Sequence, residues 1–217
     1  MRLRAKSRVP NANRSKQVRK PASVALRIEL CDIEPLIWRR IVVPTSWPMS
    51  TLHNYVQWVM GWQDTHAHEF RVLDKAIAPN WWIKEISLDR NTSDARDERR
   101  VRVGAAVSEA AATGGFEYVY DMGDDWRHRL VIEADSGTRA RKFERLPLCA
   151  AGENACPPED VGGPHGYARF LAALADPEDE DHSTMLSWIG GVFDPRGFDL
   201  NRVNREWRGA MGTGRSR

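Results

Sequence analysis

Apolar and polar residues alternate from Ser23 to Leu30, with Val24, Leu26, Ile28 and Leu30 on one face and Arg27 and Glu29 on the other. This period of two predicts a half-buried strand. Asp32-Ile33-Glu34-Pro35 reads as a turn, and Leu36 to Val43 is a second, β-branched strand closed by Pro44, so the pair predicts a hairpin. The period then changes. Leu52, Tyr55, Val56, Val59 and Met60 form one helical stripe, with Ser50 as cap and Gly61 as stop. Ala67 to Leu73 predicts a third strand, and Trp81-Trp82-Ile83 a short one. The charged stretch Asn91 to Arg102 reads as a loop, and Val103 to Ala112 as a short helix ending at Gly114-Gly115. Phe116, Tyr118 and Tyr120 alternate, as do Trp126, His128, Leu130 and Ile132. The Met122–Asp125 turn between them predicts a hairpin, and this parity puts Trp126 in the core. Residues 135–163 read as mainly irregular. Gly163-Pro164 opens a helix with Tyr167, Phe170, Leu171 and Leu174 inward. A second helix follows Asp176-Pro177, its acidic start solvated, and Asp199 caps a last one carrying Leu200, Val203 and Trp207.

Strands and one helix, more strands, then C-terminal helices predict an α+β fold with a mainly antiparallel sheet. The opening strand–strand–helix–strand order is β-grasp-like, and the C-terminal helices are expected to pack on the sheet. The chain has 217 residues, 41% of them apolar, and nine Trp, enough for a substantial core. Residues 22–209 are expected to form a single domain, and residues 210–217 a flexible C-terminus. No apolar run approaches the ~18 residues of a membrane span, and no secretory signal is seen. Three cysteines, Cys31, Cys149 and Cys156, do not make a disulfide framework, and a cytoplasmic location is expected.

Charge divides the chain. Residues 1–21 carry eight basic residues and no acid, which leaves 24 basic against 30 acidic residues in the remainder, a net of −6. The tail is expected to be disordered, either a basic arm for nucleic acid or a plain solvated extension. A protein is the other candidate partner, the partner itself is not identified by the sequence, and no membrane is expected.

Two segments lack the periodicity of a core element: Asp121-Met122-Gly123-Asp124-Asp125-Trp126-Arg127-His128 and Cys156-Pro157-Pro158-Glu159-Asp160-Val161-Gly162-Gly163-Pro164-His165. With Ile37-Trp38-Arg39-Arg40-Ile41, Leu52-His53, Met60-Gly61-Trp62, His66-Ala67-His68-Glu69-Phe70, Tyr118-Val119-Tyr120 and Phe193-Asp194-Pro195 with Phe198, they span residues 23–207. In these stretches the chain resembles the plasmid pRiA4b ORF-3-like family, also described as TnpR-type passenger proteins of insertion sequences. The resemblance implies an uncharacterised protein that travels with plasmids and mobile elements. Met122 stands where the family often has Phe, and Val161 where it often has Cys; the second departure weakens a thiolate–metal reading.

The candidate polar surface is His66, His68, Glu69, Asp121, Asp124, Asp125, His128, Glu159, Asp160 and His165. His66 and His68, two apart on a strand, would face one way, as a metal site needs, or else hydrogen-bond to neighbouring acids such as Asp64. Asp121, Asp124 and Asp125 either hold a hard cation or shape the hairpin turn, with Gly123 supplying a positive φ. Cys149 and Cys156, with six residues between them, lack zinc-knuckle spacing; the Cys-Pro-Pro-Glu-Asp-Val-Gly-Gly run reads as a rigid loop presenting Glu159, Asp160 and His165. Arg39 and Arg40 are either anion-binding residues or partners of acids across the sheet. A recombinase needs a Ser or Tyr nucleophile with Arg clamps. No such set, and no hydrolase set, is identifiable, and Arg127 and Arg129 flank His128 on the opposite strand face. The expectation is therefore a non-catalytic binding or accessory module without a cofactor. The competing expectation is a metal-dependent hydrolase or nuclease, with His66, His68, Asp124 and Asp125 first among the residues a divalent metal would use.

Overall fold

The computed structural model describes residues 22–89, 94–133 and 146–212. The expected basic tail and part of the stretch read as irregular lie outside the described residues. Among the described residues eight strands form one sheet: β1 (Ser23–Leu30), β2 (Trp38–Pro44), β3 (His68–Val72), β4 (Lys75–Ala78), β5 (Arg96–Asp97), β6 (Gly115–Tyr120), β7 (Trp126–Glu133) and β8 (Leu148–Glu153), in the order β5-β4-β3-β6-β7-β1-β2-β8. All pairings are antiparallel except β4 with β5. The α+β class with a mainly antiparallel sheet is therefore what the chain adopts. The β6–β7 hairpin stands between β3 and the opening hairpin.

Among the described residues there are six helices, α1 (Met49–Met60), α2 (Asn80–Asp89), α3 (Val103–Glu109), α4 (Gly163–Ala175), α5 (His182–Ile189) and α6 (Leu200–Gly212), with a 3-10 turn at Ala110–Ala112 after α3. Several elements differ from expectation: β4 was not expected, and β5 lies in the charged stretch that reads as a loop. Trp81-Trp82-Ile83 is the first turn of α2 rather than a strand, and β8 is a strand where irregular chain was expected. Pro48, not Ser50, occupies the cap position of α1, and Ser50 lies inside the helix. Gly61, at φ 107°, stops α1 as expected. Asp199 Oδ1 accepts the Arg202 N–H at the start of α6, and α6 runs to Gly212, past the expected domain end at residue 209. The acidic run before α5 is a turn that clamps Arg169 through Asp179 and Asp181, not the first turn of the helix. Among the described residues no helix is long and apolar enough to cross a membrane.

One sheet face makes the core. Leu26, Ile28 and Leu30 of β1, Ile41 and Val43 of β2, Phe70 of β3, Tyr118 and Tyr120 of β6, and Trp126 and Leu130 of β7 are buried there. The α1 stripe of Leu52, Tyr55, Val56, Val59 and Met60 is buried in the same core. The other face is largely charged, with Arg27 on Glu29, Arg40 on Glu133 and Arg71 on Glu69. A sheet buried on one side and polar on the other is the antiparallel pattern that alternation predicts.

Candidate functional site

Three separate segments meet at one place. The first leaves α1 through Gly61 and crosses to β3. Its backbone is pinned by side chains: Asp64 N–H donates to Gln57 Oε1, Thr65 N–H to the Tyr120 hydroxyl and Gln63 N–H to Glu159. His66 therefore sits in a fixed loop before β3 rather than on the strand. The second segment is the β6–β7 turn. Asp121 and Asp125 take the left-handed conformation (φ 57° and 52°), a role that sequence reading gave to Gly123. Asp121 Oδ1 accepts the N–H groups of Gly123 and Asp124, so this carboxylate shapes the turn with one oxygen and keeps Oδ2 free. The third is the Pro157–Gly162 loop, tied to the turn where Gly162 N–H donates to Asp124 Oδ2.

Their meeting point is a cluster of one imidazole and three carboxylates. His66 Nε2 lies 3.0 Å from Asp160 Oδ1, 3.6 Å from Asp121 Oδ2 and 3.9 Å from Glu159 Oε2. Nε2 is buried yet makes no hydrogen bond: the Asp121 and Glu159 oxygens stand too far away, and Asp160, though near, is not a hydrogen-bond partner. The ligand atoms of His66, Asp121 and Asp160 all fall within 4.8 Å of one another. Asp121 and Glu159 are almost covered, while Asp160 is open to solvent. The Tyr120 hydroxyl donates to Glu159, and burial, with that carboxylate beside it, pushes the phenol up to about 12. The cluster is a concentrated negative centre that suits a cation.

Beside it opens a cleft of about 400 Å³, lined by His53, Asp64, Thr65, His66, His68 and Trp81 among others. His53 Nε2 meets Asp64 Oδ1 at 2.9 Å, and His68 Nε2 meets Glu98 Oε2 at 2.8 Å. The His53 Nδ1 sits 2.8 Å from the Tyr118 hydroxyl, which accepts the Gln57 amide. Burial pulls the His53 pKa down against the opposing pull of Asp64, and the His53 hydrogen bond holds the Asp64 carboxyl below its usual range. Trp81, more than half exposed, lies at the rim.

Several sequence-chosen residues stand elsewhere. Glu69 is buried on the opposite sheet face under α2, held by Arg71 and Trp82. His128 is fully buried. Asp125 pairs with Arg127, and His165 is exposed on α4. His66 and His68 do not share one donor set; each joins a different group. Arg40 pairs with Glu133 across the sheet. Arg39 is 1% exposed, and its guanidinium donates to the carbonyls of Trp38, Val59, Glu153 and Asn154 beneath Phe198, so it is a buried strut and not an open anion site. Burial raises the Cys149 thiol to about 11 and raises Cys156 as well, and neither cysteine joins a metal-capable group among the described residues. Sequence reading passed over His53 and Glu98. The signal for His53 was there: with Gln57 it is a polar residue on the buried side of α1.

Comparisons with known proteins agree with the motifs. The model of the plasmid pRiA4b ORF-3-like protein family matches residues 22–202. The uncharacterized protein y4hQ of Sinorhizobium fredii is 36% identical over 190 residues, 84% of this chain and 89% of that protein. The crystal structure of MM3350, a protein of unknown function from Methanosarcina mazei Go1, superposes with a TM-score of 0.69 at 29% identity, covering 84% of this chain and 97% of that one.

Proposed function

The chain belongs to the plasmid pRiA4b ORF-3-like family, and from that premise we propose that it is a binding module whose working centre is the His66–Asp121–Glu159–Asp160 cluster, which takes a divalent cation. The observation that carries the reading is the buried His66 Nε2, faced by three carboxylate oxygens yet hydrogen-bonded to none. A protonated imidazole serving only as counter-ion would gain by aligning with one oxygen. A cation held between Nε2 and these oxygens accounts for the missing hydrogen bond. One nitrogen among oxygens favours a hard or intermediate ion such as manganese or magnesium. Each segment brings a ligand, so the ion would also clamp the three segments together.

The adjoining cleft favours a second reading, metal-dependent hydrolysis, since an ion at the cluster would stand beside a cavity that could seat a substrate and would activate water there. Both readings need the ion; only the second needs turnover.

The first test is thermal melting of protein purified without an affinity tag and stripped with chelator. Adding manganese should raise the melting temperature of the wild type, because an ion that binds only the folded state stabilises it by mass action. Asp160→Asn, at an exposed left-handed position that Asn tolerates, should melt like the wild type without metal and lose most of the gain. An equal rise in both proteins would remove the cluster as the site. Manganese-dependent cleavage of bis-p-nitrophenyl phosphate that Asp160→Asn abolishes would select the hydrolase reading.

A further inference from the structure

The cleft beside the cluster has a charge pattern of its own. α1 brings His53 and Asn54 to it, and the start of α2 brings Trp81. Among the described residues its lining carries two carboxylates, Asp64 and Glu98, and no Lys or Arg. The imidazoles do not balance these acids. His53 and His68 stack face to face with centroids 3.4 Å apart, and two charged rings at that separation repel. An anionic ligand entering the cleft would meet no fixed cation, whereas an organic cation would meet opposite charge.

The two acids are not equivalent. Glu98 is 6% exposed and is committed to His68. Asp64 is half exposed and gives Oδ1 to His53, which leaves Oδ2 for a ligand. Asn54 and Thr65, both exposed, add neutral side-chain oxygens to the same lining. Trp81 supplies an apolar wall. Its indole is 56% exposed, whereas the neighbouring Trp82 donates to Glu69 beneath α2. An open indole beside a carboxylate attracts a cation to its ring face and covers the alkyl chain that carries it. A guanidinium fork would use both oxygens of one carboxylate, and His53 already holds one of those of Asp64. The three separate donors of an ammonium group fit the lining better.

We propose that the cleft binds a primary alkylammonium group, its charged head on Asp64 Oδ2 and its chain against Trp81. As a statement of what a hydrolase would act on, this rests on the second reading above; the binding itself needs no metal ion and is tested without one. The same head group is offered by a free polyamine and by a lysine side chain. Spermidine and Nα-acetyl-lysine N-methylamide are the two probes, and the tighter binder names the source.

The test is isothermal titration calorimetry of chelator-stripped, tag-free protein at about 0.15 M salt, which screens attraction to the acidic surface at large. The wild type should bind at least one probe at a single saturable site and should not bind hexanoate, an anion with an alkyl chain. Trp81→Ala should weaken binding about 10-fold. It removes no charge, so its loss marks the cleft. Asp64→Asn, at a left-handed position that Asn tolerates, should weaken binding about 10-fold as well. Asp160→Asn should bind the probe like the wild type while losing the manganese response, so the two sites fail separately. Circular dichroism of each variant checks its fold. No saturable binding of either probe would overturn the proposal. So would hexanoate binding as tightly as the amines, affinity unchanged in Trp81→Ala, or affinity lost only in Asp160→Asn. If Asp64→Asn does not fold, Trp81→Ala decides alone.

Discussion

His128 lies fully buried on the core face of β7 and is held as a neutral imidazole. Its Nδ1–H donates to the Trp126 and Tyr118 carbonyls, and its Nε2 accepts the Trp62 indole N–H. Desolvation outweighs the two carbonyls and pulls its pKa down to about 4 from 6.5. Above pH 6.5 the residue is neutral in both folded and unfolded chains, and its contribution is complete. As pH falls from 6.5 toward 4, the unfolded chain gains a proton that the fold refuses, and stability is lost. The shift corresponds to roughly 3 kcal/mol. Urea unfolding at pH 7 and pH 4 should therefore show a loss of that order in the wild type and a visibly smaller one in His128→Gln. Parallel losses in the two proteins would show that the acid sensitivity comes from elsewhere. The parity of β7 made the position of His128 legible, beside Trp126 and Leu130. Its chemistry was not legible, because the Trp62 partner comes from a distant loop. Arg39 is similar: a strand Arg on the apolar face could be read from the sequence, but its carbonyl partners come from α1 and β8.

Among the elements, α4 and the loop before it decide whether the site assembles. Gly162 and Gly163 take φ of 91° and 66°, and a Cβ on Gly163 would meet the Asp124 carbonyl oxygen at 2.5 Å. The glycine thus lets the loop bearing Glu159 and Asp160 lie against the turn bearing Asp121. Gly163→Ala imposes both a left-handed alanine and a backbone clash, at a cost of at least ~1–3 kcal/mol. In guanidinium unfolding the variant should be weaker by that amount, and its manganese-dependent gain should shrink with it, since the loop must withdraw from the turn. Full stability with a full gain would mean that the approach is not needed. The start of α4 could be read from Gly163-Pro164. α2 and β8 could not be read from local pattern. Trp81-Trp82-Ile83 has strand-like composition, but Ile83 N–H bonds the Pro79 carbonyl and Ile86 is buried, so packing decides for helix. β8 is built of small residues with little alternation. Gly152 suits it because a Cβ there would meet Phe198 at 2.7 Å and Arg39 at 2.8 Å, a requirement visible only in the packed molecule.

At the scale of the molecule, sheet order does what sequence order hides. Residues 66, 121 and 159–160 lie far apart in the chain. They meet because β3 pairs with β6 and the loop before α4 folds onto the β6–β7 turn. Two of these segments stood out in the sequence because they lack the periodicity of a core element, and His66 because it stands two residues from His68. Sequence reading could not tell which side chains would converge, and so it grouped His66 with His68 and passed over His53. The charge division has a bearing here too: outside the basic tail the net charge is −6, which favours cations at the carboxylate cluster. Whether this cluster holds an ion is read from diffraction by crystals soaked in manganese, recorded at the manganese absorption edge. An anomalous peak is expected between His66 Nε2 and the carboxylates of Asp121, Glu159 and Asp160, absent in Asp160→Asn crystals soaked the same way. A map with no peak there, and His66 Nε2 instead aligned in a hydrogen bond with one carboxylate, would contradict a cation site at this cluster.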